Sequence, residues 1–275
     1  MTDAEMSPDE APGFLFESRG ESFHPTALAG SPWGPEFIHG GATAALLTRA
    51  VEPAGGGSEF HVARITMDLF RPVPMSPLTM SAEALRDGRR LRVVEATLCA
   101  ADGPVAVARA LLLRRSEMAL RAESRPFDLP HPDQLRDSTH ESGARRTHMP
   151  PGVHTCVEKR VGSGFDGSGH GQAWFRLPVG IVAGESVTPL MRLGLCSDFG
   201  NGLAQIEAEA GVGYINADIT LYIERVPVGD WIGLDARSHI MDGGMRMVNT
   251  ELYDLEGRVG RVDQATLANR RWQKT

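Results

Sequence analysis

Apolar and polar positions alternate with period two along much of this chain, and the alternation comes in two blocks. In the first, Ala63, Ile65, Met67 and Leu69 alternate with Arg64, Thr66 and Asp68, the pattern of a half-buried strand. Residues 78–86 alternate again. Asp87-Gly88 and Asp102-Gly103 are hairpin turn signals leading into strands over 91–100 and 105–115. In the second block, Ile215, Ala217, Ile219, Leu221 and Ile223 alternate with Asn216, Asp218 and Thr220. Strands over 231–240, 245–253 and 259–268 follow, with turns at Asp242-Gly243-Gly244 and Glu256-Gly257. Ahead of each block lies an apolar run that does not alternate. Residues 42–51, opened by Gly40-Gly41 and ended by Pro53 and Gly55-Gly56-Gly57, are good helix formers with almost no charge. They predict a helix buried nearly all round. Residues 189–196 predict a second buried helical segment.

The blocks are copies of one another. Laid on residues 61–115 without gaps at an offset of 154, residues 215–269 match at 11 of 55 positions, where ordinary composition gives about three or four by chance. The matches include Ile65/Ile219, Thr66/Thr220, Arg71/Arg225, Arg92/Arg246, Gly103/Gly257 and Val105/Val259. Each copy, a buried helix and an antiparallel meander, leaves an open strand edge, and pairing the two edges into one sheet closes both. Outside the copies, residues 1–13 read as a frayed tail and 14–23 as a short first strand. Residues 24–37 read as a loop. Residues 117–152 read as a long connection across the surface, rich in Pro, His and charge. Residues 159–171 are glycine-rich, and 173–177 predict a short strand.

Composition narrows the partners. Of the 275 residues, 41% are hydrophobic and 23% charged, enough for a real core. A net charge of -7 disfavours nucleic acid as a partner. No apolar run approaches the roughly 18 residues of a membrane span. The acidic, Pro-containing start does not read as a secretory signal. Cys99, Cys156 and Cys196 lie far apart, with neither a disulfide framework nor a zinc-ligand spacing, which fits a cytoplasmic setting.

Candidate chemistry centres on Ser197-Asp198-Phe199-Gly200-Asn201-Gly202, just after the second apolar run. An acid among apolar residues is costly to bury without partners, so Asp198 either caps a helix or works in a cleft. At the repeat offset it falls on Ala44, Asn216 on Val62 and Gln264 on Ala110. All three polar positions are apolar in the first copy, as expected if duplication made two sites and one was kept.

The duplication, the His39-Gly40-Gly41 opening, Ser197-Asp198, Asn216 ahead of Glu224-Arg225, and Gln264 in the last strand resemble the type II acyl-CoA thioesterase family. The resemblance implies an α+β double hotdog fold, two antiparallel sheets each wrapped round a buried helix and joined edge to edge. It divides the chain into an N-terminal hotdog (1–116), a connection (117–152) and a C-terminal hotdog (153–275) carrying the active-site side chains. It implies thioester hydrolysis in fatty acid metabolism, with acyl-CoA as substrate and no cofactor or metal. Nucleic acid and membrane are not expected partners, and a homo-oligomer of double-hotdog chains is. Asp198 would activate the attacking water, with Asn216, where the family has Thr or Ser, and Gln264 orienting it. Backbone N–H near Gly41 would hold the oxyanion, and Gly40, Gly41 and His39 would contact substrate. Two alternatives stay open: an idle acyl-CoA-binding module, and a hydratase or dehydratase, which needs an acid–His pair. No histidine is near Asp198 in sequence, so His170 or His239 would have to come from afar.

Overall fold

The first apolar run and its meander fold much as their pattern predicts. In a computed structural model, residues 13–53, 59–117, 129–139 and 150–270 are described; the tail at 1–12 and Gly55-Gly56-Gly57 fall outside them. A hairpin of β1 (Phe14–Arg19) and β2 (Ser22–Pro25) comes first. The predicted loop then holds a small pair, β3 (Gly30–Ser31) and β4 (Gly34–Ile38). Helix α1 (Gly40–Val51) buries every residue from Gly41 to Thr48, as its uncharged sequence requires. The meander is β5 (Phe60–Leu69), β6 (Leu78–Asp87), β7 (Leu91–Ala100) and β8 (Gly103–Arg114).

The connecting segment is not a plain surface linker. Residues 118–128 and 140–149 lie outside the described set, but Leu129 is buried and Trp174 Nε1 donates to Pro130 O at 2.8 Å. Strand β9 (Arg136–Asp137) adds an edge to β10 (Glu158–Ser163), which pairs with β11 (His170–Arg176). Helix α2 (Val153–Cys156) packs on the first unit around residues 27–31, and β12 (Gly180–Val182) runs parallel to β1. So a boundary at 152/153 cuts through real packing, because the second unit lends α2 and β12 to the first.

The second apolar run gives α3 (Pro189–Cys196), which Ser197-Asp198 separates from the five-residue α4 (Phe199–Leu203). The second meander is β14 (Asp218–Ile223), β15 (Ile232–Met241), β16 (Met245–Asp254) and β17 (Gly257–Arg270). The alternation over 215–223 is not one strand, since β13 (Val212–Asn216) ends before Ala217 and among the described residues pairs with β17 alone. There the register slips by one, from Asn216 opposite Thr266 to Thr220 opposite Asp263. The first copy slips at the equivalent Ala63, between Val62 opposite Leu112 and Arg64 opposite Leu111. A bulge of this kind re-aims the side chains beside it.

The two meanders join as expected, through antiparallel pairing of β5 with β14. Thr66 stands opposite Thr220, its own equivalent at the repeat offset, so a pseudo-two-fold axis passes between them. Beneath the sheet α1 and α3 touch closely at glycines. A Cβ on Gly41 would lie 2.6 Å from Leu195 O, and one on Gly194 would strike Thr48 Oγ1. Among the described residues no helix is long and apolar enough to cross a membrane.

Candidate active site

Helix α3 ends at its C-cap Ser197, whose hydroxyl and backbone N–H both bond back into the helix. Ser197 Oγ donates to Gly194 O at 2.6 Å and its N–H to Leu193 O at 2.9 Å. Asp198 is then the N-cap residue just before α4, but its carboxylate makes no cap bond there among the described residues. It turns instead to the N-terminus of α1, in the other unit. Oδ2 accepts from Gly41 N–H at 2.9 Å and lies 3.0 Å from His39 Nδ1; Oδ1 accepts from Asn216 Nδ2 at 2.5 Å. A Cβ on Gly40 would collide with the same carboxylate, so only glycine fits.

His39 Nδ1 also lies 3.0 Å from Gly41 N. A bare nitrogen lone pair facing a carboxylate oxygen would be repelled. We therefore place the proton on Nδ1, with both His39 and Gly41 donating to Oδ2. The His39 ring stacks 6.1 Å from His154 and meets Phe199 edge-on at 5.7 Å. Burial alone would push the Asp198 carboxyl up. The bonds from His39, Asn216 and Gly41 outweigh it and hold the pKa below the ordinary carboxylate value. The positive end of α1 acts in the same direction.

Gln264 arrives from β17. The register that puts Val248 opposite Gln264 and Asn216 opposite Thr266 turns Asn216, Gln264, Thr266, Val248 and Thr250 to the helix side of the sheet. Gln264 is 1% exposed. It lies beside Gly200, in the first turn after Asp198: a Cβ there would be 3.2 Å from Gln264 Oε1 and would strike Thr250 Oγ1. Among the described residues, Gln264 Oε1 and Nε2, Asn216 Oδ1 and Thr250 Oγ1 are all buried without a hydrogen-bond partner. Four orphaned polar atoms in one place are unusual for a folded interior.

Asp198, Asn216, His39, Gly40 and Gly41 thus meet directly, and Gln264 stands one turn away. One expectation needs correction. Gly41 N–H is not a free oxyanion donor, because it already donates to Asp198. His39, expected to contact substrate, lies with its Nδ1 against Asp198 Oδ2. Asn216 commits its Nδ2 to Asp198 and keeps only its oxygen open. His170 pairs with Asp235 on the outer sheet face, and His239 is exposed. Ala44, Val62 and Ala110, the first-copy equivalents, are buried and apolar. Thr250 escaped the sequence reading, although it shares the inward phase of Val248 and Leu252. Among the described residues, no three His, Cys, Asp or Glu side chains are set to hold a metal ion.

Residues 127–268 match the family model for the acyl-CoA thioesterase C-terminal domain, and residues 29–113 that for the acyl-CoA thioesterase N-terminal domain. No curated protein matches the chain in sequence. Similar solved structures include a TesB protein from Mycobacterium avium subs paratuberculosis (TM-score 0.64, 16% identity, 92% of this chain and 96% of that one). The acyl-CoA thioesterase II TesB2 from Mycobacterium marinum is similar at TM-score 0.62 and 16% identity, over 84% of this chain and 90% of that one. A conserved protein with a hot dog fold from Alicyclobacillus acidocaldarius aligns at TM-score 0.65 and 16% identity, over 94% and 96%. At such identities the likeness establishes the double hotdog fold.

Proposed function

The chain belongs to the acyl-CoA thioesterase family, and from that premise we propose that it hydrolyses acyl-CoA with Asp198 as general base. The observation that supports this is the group of orphaned polar atoms beside Asp198. Oδ1 of Asp198 accepts one bond from Asn216 and retains a lone pair. Water placed there gives one hydrogen to Asp198 Oδ1 and the other to Asn216 Oδ1. Its lone pair then faces the thioester carbonyl carbon. As the C–O bond forms, charge develops on the carbonyl oxygen, and Gln264 Nε2 is the donor available to receive it. Thr250 Oγ1, also without a partner among the described residues, lies beside the same Gly200 as Gln264 Oε1. When the C–S bond breaks, the proton held by Asp198 passes to the departing thiolate, leaving the carboxylic acid and free CoA.

Two terms share the catalysis. A positioned base contributes about 10²–10⁴-fold and one oxyanion donor about 10²–10³-fold. The low pKa of Asp198 keeps it ionised at neutral pH, at the expense of basicity. The decisive experiment is free-CoA release from a panel of short, medium and long acyl-CoAs, comparing wild type with Asp198→Ala. Turnover lost in a folded Asp198→Ala supports the assignment. Equal rates remove Asp198 as the base, and binding without turnover by the wild type marks an idle acyl-CoA-binding module.

One observation favours a second reading. The His39–Asp198 contact supplies the acid–His pair that a hydratase of enoyl thioesters requires. The same assay, extended to enoyl-CoA, separates the two: loss of the enoyl absorbance without free CoA would establish hydration.

A further inference from the structure

Arg246 is 1% exposed, and its recorded partners are neutral. Its Nη2 donates to Asn201 O at 3.0 Å and to the Asn201 side-chain oxygen. Nη1 donates to Ala204 O at 3.0 Å and Ser238 Oγ at 3.1 Å, and Nε to Thr266 Oγ1 at 3.2 Å. The guanidinium carbon sits 4.4 Å over the Tyr214 ring. Asn201 closes the loop by donating its Nδ2 to Tyr214 O at 2.8 Å. Burial pulls the Arg246 pKa down to about 10, so the group remains charged at working pH.

We infer that Arg246 is a positioning residue: it holds α4, and with it Asp198, in register with the strands that carry Asn216 and Gln264. This rests on the hydrolase reading above. The carbonyls of Asn201 and Ala204 end α4, where unpaired C=O groups and the negative dipole end attract a cation. Asp198 stands at the other end of the same five residues. Tyr214 is two residues from Asn216 on β13, and Thr266 two residues from Gln264 on β17. One guanidinium therefore ties together the three elements that bring in the proposed catalytic groups.

The first copy shows what the same position looks like without a site. Arg92 is the equivalent of Arg246, and it lies 4.1 Å over Phe60, the equivalent of Tyr214. There the resemblance stops. Arg92 pairs with Asp87 at 2.7 Å, and the equivalent of Asp87 is Met241. Where the second copy has Asn201, Ser238 and Thr266 to accept from Arg246, the first has Leu47, Ala84 and Leu112. Helix α1 runs unbroken through the region where α3 gives way to α4. So the arginine has three neutral side-chain acceptors in the unit that carries Asp198, Asn216 and Gln264, and a carboxylate in the unit that does not. Burying a cation with no counter-ion among the described residues is costly, and a fold alone gains nothing from it that the Arg92 arrangement lacks.

The test compares full-length wild type, Arg246→Met, Arg246→Lys and Arg92→Met. The readouts are kcat, KM, the acid limb of the pH–rate profile, and amide hydrogen exchange over residues 199–203. A misplacement of about 1 Å costs about a hundredfold in rate. Arg246→Met is expected to lose about that in kcat per folded molecule, with KM within about twofold. Its acid limb should move up as Asp198 leaves Gly41 and His39, and exchange at 199–203 should quicken. Arg246→Lys should fall between, and Arg92→Met should match wild type. A folded Arg246→Met with wild-type kcat and an unmoved acid limb overturns the inference. If that variant does not fold, Ser238→Ala removes one hydroxyl from the cluster without stranding a charge. Wild-type exchange and kcat in Ser238→Ala then overturn it equally. A wild type that cleaves no acyl-CoA defeats the hydrolase reading instead, while exchange at 199–203 still decides whether Arg246 holds α4.

Discussion

Gly41 N–H donates to Asp198 Oδ2 at 2.9 Å across 157 residues of chain, binding the first helix of one unit to the acid of the other. Gly40, one residue earlier, leaves no room for a Cβ beside that carboxylate. Gly40→Ala is therefore expected to push Asp198 off its three donors. The change is small and its site is local, so the protein should fold. Its kcat should drop about a hundredfold if Asp198 moves by about 1 Å. Steady-state kinetics on the preferred acyl-CoA check this, and a wild-type kcat in Gly40→Ala would show that the carboxylate need not stay where it is.

Among the described residues, neither polar atom of the Gln264 amide has a partner, at 1% exposure. Leaving buried polar groups unsatisfied costs about 1–3 kcal/mol. Gln264→Leu keeps the volume and removes that cost, so its melting temperature should rise while hydrolysis falls by about 10²-fold or more. Calorimetry and CoA release on the same sample test both halves. A destabilised Gln264→Leu would mean that the amide finds partners in the folded protein.

The pH dependence has a definite sign. Burial raises the Asp198 pKa, and His39, Asn216 and Gly41 together lower it further, to below the ordinary value. A depressed carboxyl stabilises the fold above its unfolded pKa, and that contribution is lost as pH falls through the folded value. The acid limb of kcat/KM should accordingly lie below the ordinary carboxylate range. His39→Ala removes a leading donor, so its acid limb should shift upward. An unmoved limb would place the proton on the other His39 nitrogen.

A second buried carboxylate gives an internal control for stability. Asp254, with a fully buried side chain, pairs with Arg225 and accepts from Val228 N–H at 2.8 Å and Glu256 N–H at 2.9 Å. Burial works against its ionisation, but Arg225 and the two amides overcome it and hold the pKa low. Asp254→Ala should cost about 2–3 kcal/mol, moderated because Arg225 remains a third exposed. The first copy pairs Arg71 with an exposed Asp102 instead. Both arginines also donate to the matching glycine carbonyls, Gly103 and Gly257, at 3.1 Å. Asp102→Ala should leave the urea midpoint close to wild type. A larger loss from Asp102 than from Asp254 would contradict the burial argument.

Much of this architecture could be read from local pattern. The nearly uncharged run at 42–51 had to be buried, and the matched alternations made Thr66 and Thr220 equivalents, though their standing opposite each other comes from the structure. Asp198, Asn216 and Gln264 stood out because each replaces an apolar residue of the first copy. What escaped depends on contacts between units or on register. Nothing near Asp198 in sequence announces His39, since their contact follows from how α1 crosses α3. The slip at Ala217 is invisible to alternation, which reads straight through it. Thr250 and Arg246 point inward in phase with apolar neighbours, but phase says nothing about what they meet. The pairing of Arg136 and Asp137 with β10 lay in a segment whose composition spoke only for a linker.

The two-fold relation at Thr66 and Thr220 means that each half offers the other the edge it would offer a copy of itself. Fusing the copies turns an encounter between molecules into a tethered one, with an effective concentration of about millimolar. Tethered halves no longer have to be identical in order to meet. In a dimer of identical chains, a carboxylate placed beside one glycine appears beside both, and every change is made twice. Here one half keeps an acid at its helix end while the other carries an alanine, and the asymmetry is inherited as a single gene.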